Sequence, residues 1–140
     1  MKRKAIATAM LILLSLSLSS CIITSRLINV DISCEDFREN PKSILNDFEI
    51  EVGDKITVSL CSNPTTGFEW DYEMSEDNVL KEEDHDFEEP DTDDLGAPGR
   101  ETWTFEGTAE GSTVVMMEYG QPWEGGDKKA WTYRMNVKVK

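Results

Sequence analysis

At its C-terminal end the chain reads Trp131-Thr132-Tyr133-Arg134-Met135-Asn136-Val137-Lys138-Val139-Lys140. Every odd-numbered residue of this run is apolar and every even-numbered residue is polar, which is typical of a β-strand with one buried face. The segment 56–60 (Ile-Thr-Val-Ser-Leu) alternates in the same way. Further strands are predicted over 27–33, 47–52, 68–74, 79–88, 100–107 and 111–119, separated by turns that contain Gly or Pro. Because no segment shows a helical apolar stripe, we predict an all-β fold, an immunoglobulin-like antiparallel β-sandwich of about seven to eight strands.

The N-terminal segment predicts export and lipidation. A basic cluster at 2–4 precedes an apolar stretch at 5–18, and these 14 residues are fewer than the roughly 20 that span a bilayer. The stretch runs into Leu-Ser-Ser-Cys at 18–21, which is similar to the cleavage box of a bacterial or archaeal lipoprotein. We therefore predict that Cys21 carries the lipid; the alternative is an ordinary secretory signal in which this cysteine is incidental.

Cleavage before Cys21 would leave a single acidic domain. We expect 1–20 to be the lipoprotein signal peptide, 21–29 a lipidated tether and 30–140 the folded domain. The protein would be exported and anchored by its lipid to the extracytoplasmic face of the cell membrane. Loss of the three basic residues of the signal takes the formal net charge from −14 to −17. Such a surface repels nucleic acid, so we expect no DNA or RNA partner.

Three turns between predicted strands have a distinctive composition: Asn63-Pro64-Thr65-Thr66-Gly67-Phe68 (loop 1), Gly96-Ala97-Pro98-Gly99 (loop 2) and Gln121-Pro122-Trp123-Glu124 (loop 3). In loop 1, Pro64 keeps Asn63 extended and Gly67 permits a positive φ, which predicts a stiff, uncharged tip. In loop 3, Trp123 stands on a rigid turn, and exposed tryptophans are frequent binding hot spots. Since two strands separate each loop from the next, all three should open at the same end of the sandwich.

In their order and spacing the three loops resemble those of chagasin-like inhibitors of papain-family cysteine peptidases. The resemblance covers roughly 30–140, with Phe68 where many members have tyrosine and Gln121 where the family usually has arginine. It implies a monomeric, reversible, tight-binding inhibitor that is not an enzyme. The tip at Thr65 and Thr66 would cover the catalytic cysteine of the peptidase while loops 2 and 3 grip the flanks. The implied peptidase-binding residues are all of loops 1 and 2 and the Gln-Pro-Trp of loop 3.

Plainer interpretations of these segments stay open. Loop 1 can be a hairpin turn, loop 2 an acidic connection, and Trp123 a side chain packed back onto the sandwich. The segment 82–94 holds nine carboxylates in 13 residues, which should repel one another and keep it mobile. The alternative function is a lipid-anchored immunoglobulin-like adhesion or assembly module that binds another surface protein.

Two cysteines, Cys34 and Cys61, remain after cleavage. An exported compartment favours a disulfide between them, with two buried free thiols as the alternative. The bridge would close a loop of about 27 residues and stabilise the fold by ~3 kcal/mol. It would also consume the thiol of a Cys61–His85 dyad, the one nucleophile and base pair available, so we expect no catalysis.

The sequence indicates neither a metal nor a cofactor. One histidine and two cysteines do not have the spacing of a zinc site. The acidic run at 91–96 is similar to the start of a calcium loop, but Thr102 stands where the loop needs a glutamate.

Overall fold

The computed structural model describes residues 24–40 and 43–140, which form two four-stranded sheets packed face to face. The strands are β1 Leu27–Ile32, β2 Ser43–Ile50, β3 Lys55–Ser62, β4 Glu69–Met74, β5 Leu80–Glu88, β6 Gly99–Gly107, β7 Gly111–Gly120 and β8 Trp131–Val139. One sheet has the order β1-β3-β6-β5 and the other the order β2-β8-β7-β4. The predicted eight-strand, all-β sandwich is confirmed, and β2 begins four residues before its predicted start at 47.

The sheets are mixed rather than wholly antiparallel. β1 pairs with β3 in parallel, and so does β2 with β8, whereas the other four neighbouring pairs are antiparallel. The chain changes sheet between β1 and β2 and again between β2 and β3, and strand direction reverses at each step. β1 and β3 therefore meet in one sheet with the same direction. The alternation of apolar and polar residues along a strand does not indicate whether the strand beside it runs parallel or antiparallel.

The alternating pattern accounts for the core. In β8 the buried residues are Tyr133, Met135, Val137 and Val139, as the odd-numbered pattern predicts. They face the other sheet, where β3 and β6 contribute fully buried residues such as Trp103 and Phe105. Burial of each side chain of this size contributes roughly 1.5–3 kcal/mol. The sandwich is therefore held together by the inner faces of both sheets, and its two ends are left to the loops.

A short helix, α1 at Cys34–Glu39, was not predicted. It begins with a capping box in which the Ser33 hydroxyl accepts from the Asp36 N–H and the Asp36 carboxylate accepts from the Ser33 N–H. Its one buried residue is Phe37. Six residues are too few to show a helical apolar period, so the cap was the only available signal. Within 24–40 and 43–140, no helix is long and apolar enough to cross a membrane.

The Cys34–Cys61 disulfide joins α1 to β3, with 5.1 Å between the two Cα atoms. The predicted bridge is therefore confirmed. Cys61 is buried although it lies on the opposite parity to the core residues of β3. It can be buried there because α1 covers that end of the strand. The bridge fixes the point at which the chain leaves β3 for loop 1.

Most of the acidic segment is a paired strand. The prediction of a mobile segment is wrong for 82–88, which lie in β5 and pair with β6. Lys55 and Lys81 place their ammonium groups 3.5 and 3.3 Å from the carboxylate of Glu83. The Tyr72 hydroxyl donates to the Glu82 carboxylate, and burial together with this bond raises the pKa of Tyr72 to about 12. Strand pairing and these partners offset the repulsion among the carboxylates.

Strand direction gives the sandwich a loop end, which carries loops 1–3, and a far end, which carries Gly53 and the turn at 108–110. At the far end the Asp54 carboxylate accepts from the backbone N–H of Glu51 at 3.0 Å and from that of Arg26 at 2.7 Å. These two hydrogen bonds, with the nearby guanidinium, hold the pKa of Asp54 below its usual range. The described chain thus enters the fold at the far end.

Candidate functional site

All three predicted loops lie at one end of the sandwich, and loop 1 touches each of the other two. The Asn63 side-chain amide donates to the Gly96 carbonyl at 2.8 Å, which joins loop 1 to loop 2. A Cβ added to Gly67 would lie 2.5 Å from Cη2 of Trp123, so the indole of loop 3 rests directly on the backbone of loop 1. The predicted co-location is confirmed, and loop 1 is the centre of the cluster.

Loop 1 is a single 3₁₀ turn at Pro64–Thr66 closed by Gly67 with φ +77°. The Thr65 hydroxyl donates to Oδ1 of Asn63, and the Thr66 hydroxyl donates to the Asn63 carbonyl, both at 2.6 Å. Both threonines are exposed. The tip is therefore small and uncharged, and its polar groups are already bonded within the loop. Its shape is set before any partner arrives.

An aromatic stack supports loop 1 from below. Phe68 stacks on Tyr119 with 5.4 Å between ring centroids, Tyr119 on Trp131 at 5.1 Å, and Trp131 on Phe37 at 5.0 Å. The Tyr119 hydroxyl also accepts from the Asn63 N–H at 2.8 Å. The two ends of loop 1 are thus tied to one rigid group of rings that reaches as far as α1.

In loop 2, Gly96 and Pro98 are exposed, and Ala97 and Gly99 are partly buried. Gly96 has a φ of +79°, and a Cβ added there would meet nothing within 4 Å. Gly99, the first residue of β6, has no such room, since an added Cβ would lie 2.3 Å from the Glu88 carbonyl oxygen. Leu95, directly before the loop, is fully exposed. Loop 2 therefore offers the bare backbone of Gly96 to a partner, with the apolar side chain of Leu95 directly before it.

Loop 3 holds Trp123 half-exposed, at 49% of its accessible surface. Gln121 closes the loop, because its Oε1 accepts from the Asp127 N–H at 3.0 Å and its own N–H donates to the Asp127 carbonyl at 2.7 Å. The Lys128 ammonium donates to the carbonyl of Trp123 at 2.8 Å and to that of Gln121. Sequence reasoning missed Lys128, since nothing in its spacing from Trp123 predicts that it folds back over the loop.

The loop end has no catalytic arrangement among its described residues. Cys61 is in the disulfide, so the Cys61–His85 dyad does not form. His85 is firmly held, contrary to expectation: its ring stacks on Trp103 at 4.7 Å and its Nε2 lies 2.8 Å from the Glu101 carboxylate, which also accepts from the Ser62 hydroxyl. No group of three His, Cys, Asp or Glu residues within 24–40 and 43–140 could hold a metal ion.

Fold and site together define an immunoglobulin-like binding protein that presents three preformed loops at one end, with an uncharged tip in loop 1. The family model of the chagasin family peptidase inhibitors, I42, matches residues 49–137. Chagasin from Trypanosoma cruzi is 34% identical over 94 residues, which is 64% of this chain and 86% of chagasin. The chain belongs to the chagasin family of peptidase inhibitors.

Solved structures show the same fold. The crystal structure of the cysteine protease inhibitor EhICP2 from Entamoeba histolytica matches with a TM-score of 0.65 and 17% identity, covering 84% of this chain and all of that one. PbICP-C, solved in complex with falcipain-2, matches with a TM-score of 0.52 and 11% identity, covering 83% of this chain and 98% of that one. At these identities the likeness supports the sandwich alone.

Membership of the family confirms that the chain is a peptidase inhibitor and not an enzyme. The roles of individual loop residues stay predictions. The predicted signal peptide and Cys21 lie outside the described residues, and the division into signal, tether and domain stays a prediction as well.

Proposed function

We propose that this protein is a reversible, tight-binding inhibitor of papain-like cysteine peptidases that occludes the cleft with loops 1, 2 and 3. The main observation behind this proposal is that the three loops form one continuous edge. Loop 2 is joined to loop 1 by the Asn63–Gly96 hydrogen bond, and loop 3 by the contact of Trp123 with Gly67. The family supports it, and so does the naming of EhICP2 as a cysteine protease inhibitor.

Preorganisation would give the loop edge its affinity. The tip at Thr65 and Thr66 has its hydroxyls bonded inside the loop, so little conformational entropy is lost on binding. Because the tip is narrow and uncharged, it can fill the cleft over the catalytic cysteine without burying an unpaired charge. The backbone there is a tight 3₁₀ turn rather than an extended strand, so no bond is offered in a cleavable geometry.

Loops 2 and 3 would hold the flanks of the cleft. Gly96, where an added Cβ would meet nothing within 4 Å, allows close approach of backbone to backbone, and Ala97 and Pro98 beside it carry only small apolar side chains. Trp123 would be the aromatic anchor, with Pro122 stiffening its turn. Gln121 closes loop 3 through its side-chain oxygen, so it would hold in shape the loop that it helps to present to the peptidase.

We also propose that Cys21 anchors the protein to the membrane. The Leu-Ser-Ser-Cys box supports this, and so does the entry of the chain at the far end, where Arg26 is bound to Asp54. A lipid five residues before Arg26 would leave the loop end pointing away from the bilayer. Detergent partitioning of the protein expressed from the full chain tests it: the parent should enter the detergent phase and a Cys21→Ala variant should not.

We expect the domain to be a monomer in light scattering.

The inhibitory function is tested by titration. Mature chain 21–140 with Cys21→Ser is added to active-site-titrated papain, with a serine peptidase as the control enzyme. Stoichiometric inhibition of papain alone is expected. Thr66→Arg should raise the inhibition constant Ki, because a long charged side chain at the tip cannot enter the cleft. Thr108→Arg, an exposed threonine at the far end, should leave Ki unchanged. Absence of any inhibition would favour the adhesion-module alternative.

A further inference from the structure

A pocket of about 490 Å³ opens at the side of loop 1, between that loop, the start of β8 and α1. We call it the side pocket. Phe68, Tyr119 and Trp131 contribute aromatic surface to it, and Ala130 and the Cys34–Cys61 disulfide complete its wall. Four of its lining residues, Asn63, Thr66, Phe68 and Pro98, belong to the predicted peptidase-binding residues, and the two larger rings, the alanine and the disulfide do not. The side pocket thus adds a concave apolar surface that the three loops do not explain.

The side pocket is preformed. Its three aromatic residues belong to one continuous stack, with 5.4 Å between the rings of Phe68 and Tyr119 and 5.1 Å between those of Tyr119 and Trp131. The Ala130 N–H donates to the Tyr119 carbonyl at 2.8 Å, which fixes the remaining wall. A ligand entering such a site does not have to order it, so the affinity gained from apolar contact is retained.

Its charge differs from that of the rest of the surface. The chain has a formal net charge of −14, yet among the described residues the one charged side chain that lines the side pocket is Arg38, and no described carboxylate lines it. Within 24–40 and 43–140 the Arg38 guanidinium has no ion-pair or hydrogen-bond partner. An apolar group beside a carboxylate fits this combination better than a cation or a sugar would.

The side pocket shares part of its lining with the proposed interface. Asn63, Thr66 and Pro98, from loops 1 and 2, line it as well. A partner held by these loops must therefore lie across or directly beside the opening. Preformed apolar pockets next to the centre of an interface are where buried anchor side chains sit.

We propose that the side pocket receives an apolar side chain from the surface of the bound cysteine peptidase, next to its cleft, with an acidic residue of the peptidase near Arg38. This rests on the proposed inhibitory function. It predicts selectivity among papain-like enzymes: those with a projecting apolar residue beside the cleft are inhibited more tightly than those with a polar or basic residue there.

The unaltered chain offers a direct test. Three alanines follow Cys21, namely Ala97 in loop 2, Ala109 at the far end and Ala130 in the side pocket. In methyl spectra of the alanine-labelled protein, addition of inactivated papain should shift the Ala97 and Ala130 signals and leave Ala109 in place. A shift of Ala97 without Ala130 would overturn the side-pocket proposal alone. If none of the three shifts, papain is not bound, and it is the proposed function that fails.

A filling variant gives a second test. Ala130→Phe occupies the side pocket, and Ala109→Phe is the matched control at a position of similar exposure. Ala130→Phe should raise Ki for papain at least about tenfold, mainly through faster dissociation, while the control matches the parent. Equal Ki for both variants, with thermal melts showing both folded, would refute the proposal. If Ala130→Phe does not fold, the methyl experiment decides alone.

Discussion

The contact between loops 1 and 3 can be tested by adding one methyl group, with Gly67→Ala. The new Cβ would lie 2.5 Å from Cη2 and 3.0 Å from Cζ3 of Trp123, whereas carbon atoms in contact normally stay about 3.5–4.0 Å apart. The indole must therefore move by roughly 1 Å or more. Because Trp123 is half-exposed, it can swing outward instead of forcing the sandwich apart.

Two free-energy effects of Gly67→Ala can be separated. The φ of +77° costs alanine about 1–2 kcal/mol, but the strain is equal in the free and bound protein, so it lowers the free energy of unfolding and leaves Ki unchanged. Displacement of the indole acts on binding. If Trp123 is an anchor worth about 2 kcal/mol, its loss raises Ki about 30-fold.

Gly125→Ala is the matched control. Gly125 has a φ of +78°, and an added Cβ meets nothing within 4 Å, so this variant has the same backbone strain without the clash. We expect Gly67→Ala to lose at least as much unfolding free energy in urea as Gly125→Ala, but only Gly67→Ala to lose affinity for papain. A double variant with Trp123→Ala should inhibit no worse than Trp123→Ala alone, because the methyl acts through the indole. Equal Ki for the two glycine variants would refute the reasoning.

Four further changes have definite expected outcomes. Replacing Cys34 and Cys61 together by serine should lower the free energy of unfolding by ~3 kcal/mol in urea denaturation. The Tyr133 hydroxyl is buried with no partner within the described residues, so Tyr133→Phe should leave the free energy of unfolding unchanged or raise it by up to about 1–2 kcal/mol, which a thermal melt would detect as an equal or higher melting temperature. The lowered pKa of Asp54 stabilises the fold above about pH 4 and this contribution is lost as the pH falls, so Asp54→Asn should reduce the urea midpoint at pH 7 and flatten its acid limb. Lys128→Met should raise Ki several-fold at any salt concentration, since the ammonium holds carbonyls of loop 3; an effect that vanishes at high salt would indicate a direct charge contact with the peptidase instead.

The sandwich could be predicted because one face of each strand must be buried. β8 shows the pattern in full, and its odd-numbered residues do form the core. Pairing in parallel could not be predicted, since the same alternation fits either neighbour direction. The six residues of α1 were missed for a different reason, because a helix of fewer than two turns has no period to detect.

The acidic strand β5 shows where charge patterning misleads. A run of carboxylates usually indicates a solvated, mobile segment. β5 is an edge strand that pairs on one side with β6, so most of its side chains reach water while its backbone is still bonded. His85 stacks on Trp103 and bonds to Glu101, which both lie in the neighbouring strand β6. Neither partner is identifiable from the sequence around the histidine.

The candidate site was predictable to the level of loops and not to the level of contacts. Strand direction reverses at every step, so loops separated by two strands must share an end, and strand counting was sufficient to bring them together. Gly67 shows what strand counting cannot predict. Its positive φ follows from the turn, but the close approach of Trp123, from 56 residues further along the chain, depends on how the two sheets stack. A glycine required by both constraints cannot be replaced without cost even where the turn alone would tolerate another residue, such as asparagine. The Gly67→Asn variant should therefore still fold but inhibit the peptidase poorly. That combination would separate the role of Gly67 in the turn from its role beneath the indole.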